Sequence, residues 1–329
     1  MASPLSERAL ARGRRHLLDA AAAGFPEACH RMTFPRAAGF SGPREQQEGS
    51  VFSRAILGCL LLDLAEALGG DDELRAAAVA QAHHVASQRR PDLAGGWRYF
   101  PGLPELPPDL DTLAAATDLF ARIAPRYLPL TTGPIALALA QRGADGTIPT
   151  FLISPEDPPE QRATMQRGVA LYWGNTADAD VLARFYRALL RLDPVAHGPL
   201  APLDWLAGQQ AADGSWLIPW YTGQHYGTRL CADLFEALAP NAPAAVAARA
   251  FLSRPLPGSG ALDLAMTAPT PALSEALIQL QRDDGSWPAE PWLQMPMGRP
   301  SGQVVRTLTW QSQTLSTAYC LRALAQGLR

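Results

Sequence analysis

Two pairs of carboxylates share one spacing. Asp109 and Asp111 form a D-x-D pair at the start of an apolar helical stretch, and Asp178 and Asp180 repeat it further along. A carboxylic acid delivers a proton at neutral pH only if burial and its neighbours keep it protonated, so such a pair becomes chemical in a dry hollow. The competing reading is structural: Asp at a helix start accepts hydrogen bonds from free N–H groups and is a common cap. For Asp178 and Asp180 the chemical reading is a polar rim that positions an acid, a water or a ligand hydroxyl. Aromatic residues fall in loops or at helix starts around these pairs: Tyr99, Trp173, Trp220, Tyr221, Tyr226, Trp292 and Trp310. Ring faces attract cations within about 6 Å, so these side chains suit a substrate pocket that passes through a carbocation. Their alternative is plain core packing. His225, beside Tyr226, is the histidine placed to move a proton, and Cys231 sits on a helix that could face a cavity.

The elements that must hold these residues are helices. Apolar residues recur at helical spacing over Leu5 to Ala23, Val51 to Leu68, Glu73 to Ser87, Thr112 to Ile123, Pro134 to Gln141, Asp178 to Leu192, Leu203 to Gln210, Thr228 to Leu238, Ala242 to Leu252, Thr270 to Gln281 and Leu315 to Leu328. Strand-like alternation is scarce. Several helices are Ala-rich with small residues on more than one face, as layered helix packing requires. Two connections, Ala144 to Asn175 and Pro288 to Thr314, are long enough to cover a site; Met295 and Met297 in the second suit an apolar lid.

Composition narrows the chemistry. The 329 residues are 47% apolar and 18% charged, with a formal net charge of −3, which disfavours a nucleic-acid partner. All 28 basic residues are arginine, which removes lysine Schiff-base and P-loop chemistry. No apolar run reaches the roughly 18 residues of a membrane span. Met1 to Leu18 has no apolar stretch like that of a secretory signal. Cys29, Cys59, Cys231 and Cys320 include no close pair, which argues against a disulfide framework and a CxxC zinc site. The expectation is a cytoplasmic protein with free thiols and neither metal nor cofactor.

A repeat organises the chain. Gln210 to Trp216 and Gln281 to Trp287 both read Q-x-x-D-G-S-W; Gln141 to Ile148 is a third copy, and Gln88 with Gly95-Gly96-Trp97 a worn fourth. Asp-Gly is turn chemistry at a helix end. The glutamine can bond exposed carbonyls, and the ring plugs the turn against the next helix pair. These copies resemble the repeat of squalene–hopene cyclases, related terpene cyclases and prenyltransferase β subunits. Gly95-Gly96-Trp97-Arg98-Tyr99, followed by Pro107-Pro108-Asp109-Leu110-Asp111-Thr112, is similar to the approach to the D-x-D-D motif of class II cyclases, with Thr112 in the last acidic place.

The resemblance implies an all-α fold, an (α/α)6 barrel of inner and outer helices, spanning residues 1–329 as a single domain with 1–43 as an N-terminal arm. It implies Asp111 as general acid and Asp109 as the partner that tunes it. The zinc set of prenyltransferase β subunits does not carry over, since Arg229 and Ala318 stand two residues before Cys231 and Cys320. The function expected is acid-initiated cyclisation or isomerisation of an isoprenoid or similarly apolar substrate, in a chain that could act as a homo-oligomer. Two alternatives stand beside it. One is a cofactor-free lyase or (de)hydratase on a terpene alcohol or another small molecule, using His225, Cys231 or Tyr226. The other is a non-catalytic barrel that binds a lipid or a protein, its acids only capping helices. Diphosphate binding would need arginines to converge, with Arg98, Arg229, Arg299 and Arg306 as candidates.

Overall fold

Helices that pack on two sides must be apolar nearly all round, and this distinction sorts the chain into layers. The computed structural model describes residues 4–255, 258–267, 270–302, 304 and 306–327. In α2 (Val51–Ala67) and α14 (Gln313–Gln326) most side chains are buried on every face. In α3 (Asp72–Ser87) the buried residues Leu74, Ala78, Gln81, Ala82 and Val85 form one stripe. The first kind are inner helices and the second outer.

Six inner helices close a ring: α2, α4 (Leu110–Ile123), α7 (Ala179–Leu192), α10 (Gln224–Leu238), α12 (Ala261–Met266) and α14, each packed on the next and α14 back on α2. The outer layer is α3, α5 (Pro129–Ala140), α9 (Leu203–Gly208) preceded by the one-turn α8 (Pro194–His197), α11 (Pro243–Leu252), α13 (Pro271–Leu280) and α1 (Pro4–Ala22). This is the expected (α/α)6 barrel. Residues 4–22, expected within an N-terminal arm, form α1 and pack on α14, α13 and α3.

The repeat closes the outer wall. Gln210 Nε2 donates to Gly214 O (2.9 Å) within its own turn and to Ala244 O (3.0 Å) in α11, the next outer helix. Gln281 does the same to Gly285 O and to Ala9 O, both at 2.9 Å, and Ala9 belongs to α1. The last copy thus uses the start of the chain as its next outer helix. Gly214 and Gly285 have φ of +92° and +84°, and a Cβ on either would run into a backbone carbonyl of that neighbour, Ala247 O or Arg12 O. The rings are buried plugs, with Trp97, Trp216 and Trp287 indole N–H groups donating to Val85 O, Leu206 O and Leu277 O. Gln281→Ala strands two part-buried carbonyls at the ring's seam, so urea unfolding is expected to show a loss of about 1–3 kcal/mol. A loss under 0.5 kcal/mol would show that the seam does not depend on this side chain.

Eleven of the twelve wall helices are the eleven stretches read from periodicity, some starting up to five residues earlier. Leu328, at the end of one of those stretches, lies outside the described residues. The twelfth, α12, spans six residues, too short to show a period. It is held from outside: Glu290 accepts from Ala261 N (2.5 Å) and Leu262 N (2.9 Å) at its first turn.

The two long connections have structure of their own. The first carries α6 (Pro159–Gly168) and a π turn, Val169–Trp173. The second folds into an antiparallel pair, β3 (Pro291–Met297) with β4 (Arg306–Gln311). A smaller pair, β1 (His30–Thr33) with β2 (Gln46–Gly49), precedes α2. No helix among the described residues is long and apolar enough to cross a membrane.

Candidate active site

The starts of α2, α4, α7 and α10 converge at one mouth of the barrel, and both D-x-D pairs lie there. Between them is an apolar cavity with about 60 Å3 of free space. Its walls are Phe52, Tyr99, Leu106, Phe151, Val181 and Trp220, with His30 from β1. Its cover is β3, which contributes Leu293, Gln294 and Met295. The hairpin is anchored to the barrel by Gln294 N donating to Trp220 O and Thr222 N donating to Trp292 O, both 2.9 Å. Asp109 and Asp111 are the carboxylates in the lining.

Asp109 is the N-cap of α4. Its Oδ1 accepts from Thr112 N (2.7 Å) and its Oδ2 from Thr112 Oγ1 (2.9 Å). Burial dominates over these donors and pushes its carboxyl up to about 7, with the neighbouring Asp111 charge adding to the rise. Asp111, two residues on, meets a permanent cation. Arg184 Nε donates to its Oδ1 at 2.6 Å, and Tyr221 OH donates to Oδ2. Burial raises the Asp111 carboxyl too, but Arg184 and Tyr221 pull against it. Burial therefore raises both carboxyls, and a buried cation opposes the rise at Asp111.

Arg184 is the centre of a second layer. Its Nη2 donates to Tyr226 OH (2.8 Å) and Tyr221 OH (3.3 Å), Tyr226 OH lies 2.9 Å from Tyr319 OH, and the guanidinium carbon stands 5.3 Å from the Phe52 ring centre. Trp292 packs against Phe52, Tyr221, Tyr226 and Tyr319. Apart from Phe52, these rings back the cavity rather than line it.

Asp178 has three donors: Thr150 Oγ1 (2.8 Å), Trp220 Nε1 (2.7 Å) and Arg299 Nη2 (2.8 Å). It pins Trp220 in the wall, and Arg299 covers the same ring at 5.0 Å. Asp180 is fully buried, and neither of its oxygens has a hydrogen-bond partner among the described residues. Burial and the charges of Asp178 and Asp111 hold its proton on, and it stands outside the lining.

The remaining candidates separate. Tyr99 and Trp220 line the cavity. Trp310 stacks on His30 with ring centres 5.1 Å apart, and Trp173 is buried against Phe40 and Phe151. His225 is not brought to the acid pair: it faces the outer layer, its ring against Phe251 of α11 and Nε2 3.2 Å from Arg254 O. Its place two residues into α10 turns it outward while Tyr226 turns in. Cys231 is buried and stands outside this lining. Arg98, Arg229, Arg299 and Arg306 do not converge: Arg229 bonds Met266 O, Arg299 holds Asp178, and Arg306 is exposed on the hairpin.

Sequence reasoning missed His30 and Arg184. His30 Nδ1 is 3.0 Å from Tyr99 OH, and burial lowers its pKa to about 4, so it is neutral. Arg184 follows Asp180 by four residues, one turn along the inward face of α7, and that spacing was the signal available.

A scan against protein-family models finds no match, and a search among curated proteins finds none either. Solved structures do match. The ligand-free type II terpene cyclase MstE from Scytonema superposes with a TM-score of 0.68 at 18% identity, covering 99% of each chain. A variant of that cyclase, in complex with geranylgeranyl dihydroxybenzoate, its substrate, gives 0.68 at 19% identity over 98% of this chain and 97% of the other. The ent-copalyl diphosphate synthase from Streptomyces platensis gives 0.50 at 20% identity, over 87% of this chain and 52% of that one. Identity at this level speaks for the architecture, and over nearly its whole length this chain has the α/α-barrel fold of the type II terpene cyclases.

Proposed function

We propose that the protein is an acid-initiated cyclase or isomerase of an isoprenoid chain, working in the apolar cavity at the Asp109–Asp111 end of the barrel. The observation that carries this reading is a buried carboxyl opening onto a cavity walled by rings and aliphatic side chains, where burial pushes its pKa up to about 7. The cyclase of the same fold that holds a geranylgeranyl chain supports the substrate class.

The proton passes from Asp109 to an alkene carbon; the C=C pair forms the new C–H bond and a cation remains at the adjacent carbon. Further alkene pairs close rings, and loss of a proton from a neighbouring carbon restores a double bond, so product and substrate have equal mass. The Asp109 carboxylate left behind is the counter-charge. Thr112 N–H, Thr112 O–H and the start of α4 stabilise it. The capping geometry and the chemical role are therefore one arrangement. Phe52, Tyr99, Phe151 and Trp220 present ring faces to the cation, and His30, kept neutral, is the imidazole in the lining that can accept the final proton.

The free space of about 60 Å3 holds a few waters and not a prenyl chain. Binding on this reading therefore requires β3 and β4 to move off the mouth.

The test is incubation with prenyl alcohols, prenyl diphosphates, squalene and prenylated dihydroxybenzoates in D2O. The expected product is an isomer carrying one deuterium, seen by mass spectrometry. Recovery of every substrate unchanged, or products that have gained or lost water, would overturn the reading; the latter would favour a (de)hydratase.

The pH profile follows from Asp109. Its carboxyl is raised to about 7, so the acid form is present below that pH and lost as pH rises through it. kcat/KM is expected to be level below about pH 6.5 and to fall about tenfold per pH unit above 7.5. A rate that increases across this range would assign the essential group as a base.

A further inference from the structure

The barrel has a second hollow, on the same axis but at the opposite mouth, where the inner helices end. It is larger than the first, with about 280 Å3 of free space, and all six inner helices contribute to its wall. Arg184, Tyr226 and Tyr319, which lie behind the acid pair, form its floor. Its character is the reverse of the first cavity. Five arginines beyond Arg184 point into it: Arg122, Arg187, Arg191, Arg229 and Arg322. Such a lining repels a carbocation, so this hollow does not serve the chemistry proposed at the other end.

Among the described residues the arginines exceed their partners. Asp63, Asp118 and Asp233 are the carboxylates in the wall. Arg122 takes Asp63 at 2.7 Å, Arg191 takes Asp118, and Arg229 lies 3.9 Å from Asp233. Glu66, largely exposed at the rim, reaches Arg122 at 3.6 Å. Among the described residues Arg187 has no carboxylate partner, and Arg322 has only a shared one. Arg187 Nη1 donates to the backbone Asp233 O at 2.5 Å, and Arg322 shares Asp63 with Arg122 from 3.5 Å, its buried Nε having no partner. Helix C-termini account for some positive charge at this mouth. They do not account for a hollow kept open between guanidinium groups with donors unspent.

We propose that this cavity binds a small multivalent oxyanion of the phosphate or diphosphate class, held free and whole by Arg187 and Arg322. Planar guanidinium forks match the paired oxygens of such an anion. The space of about 280 Å3 takes one or two phosphoryl groups. In a chain with a net charge of −3, this local excess of positive charge marks the site.

Isothermal titration of the full-length protein with inorganic pyrophosphate tests it, against sodium chloride at matched ionic strength. One saturable site is expected, bound more tightly than ADP and weakened at least about tenfold in R187Q/R322Q, with D109N binding pyrophosphate as the parent does. If the double variant does not fold, R187Q alone serves, since its arginine bonds only a backbone carbonyl, and it should still lose affinity. Absence of saturable heat, an equal response to chloride, ADP binding as tightly as pyrophosphate, or full affinity in a folded R187Q/R322Q protein would each overturn the proposal.

Discussion

Asp109→Asn is expected to reduce turnover of the isoprenoid substrate by about 10²–10⁴-fold while the protein folds and binds substrate as before. Asparagine caps a helix as well as aspartate does, and its carbonyl oxygen can still accept from Thr112 N, the bond that fixes the start of α4. What it lacks is the proton. The variant therefore separates the structural role of this position from the chemical one. Stability by urea unfolding should move by less than about 1 kcal/mol, and KM should hold while kcat falls. Asp111→Asn provides the contrast. It leaves Arg184 buried without its counter-charge, so its first effect should be on stability. A fully active D109N protein would return the acid role to Asp111, as the motif implied.

Arg184→Met is the second large effect. The side chains of Arg184 and Asp111 are only 12% and 13% exposed, and each is the other's charge partner. Removing the cation leaves a carboxylate facing Tyr221 and the apolar wall, at a cost of about 3–5 kcal/mol at pH 7. The sign with pH is fixed. In the parent, Arg184 lowers the Asp111 carboxyl against the rise that burial causes. Without Arg184 the folded-state pKa rises further above the unfolded value. Protonation then relieves the unpaired charge, so the deficit narrows as pH falls from 7 toward 4 and is widest above the new pKa. Urea titrations at both ends of that range measure it. A deficit that stays constant with pH would show that Arg184 contributes through its packing on Phe52, Tyr221 and Tyr226 rather than through Asp111. The double variant R184M/D111N should lose less than the two single losses added together.

The two cavities divide the barrel by charge. At one mouth the charges of Arg184 and Asp111 offset each other and the wall is apolar. At the other, arginines outnumber aspartates. The division is made at Arg184, Tyr226 and Tyr319, which the ring brings together from α7, α10 and α14.

The sequence by itself determined the repeat and therefore the ring. Q-x-x-D-G-S-W is local physics: a turn that needs glycine at positive φ, an aspartate that bonds the next serine, and a ring that plugs the joint. It determined that Asp109 and Asp111 stand at a helix start, and that Tyr99 and Trp220 lie near one end. The tertiary structure decided the rest, because it turns on distances between residues far apart in the chain. The groups that oppose burial at Asp111 are Arg184, 73 residues beyond it, and Tyr221, 110 beyond it. The cover, β3, acquires its place only by pairing with the segment before α10. His225 and Tyr226 are adjacent in sequence yet face opposite layers, since a helix turns about 100° per residue. The short α12 forms because Glu290 caps it from another segment. Local patterning fixes where helices begin and which face is apolar; only closure of the ring sets which charges meet in the dry interior.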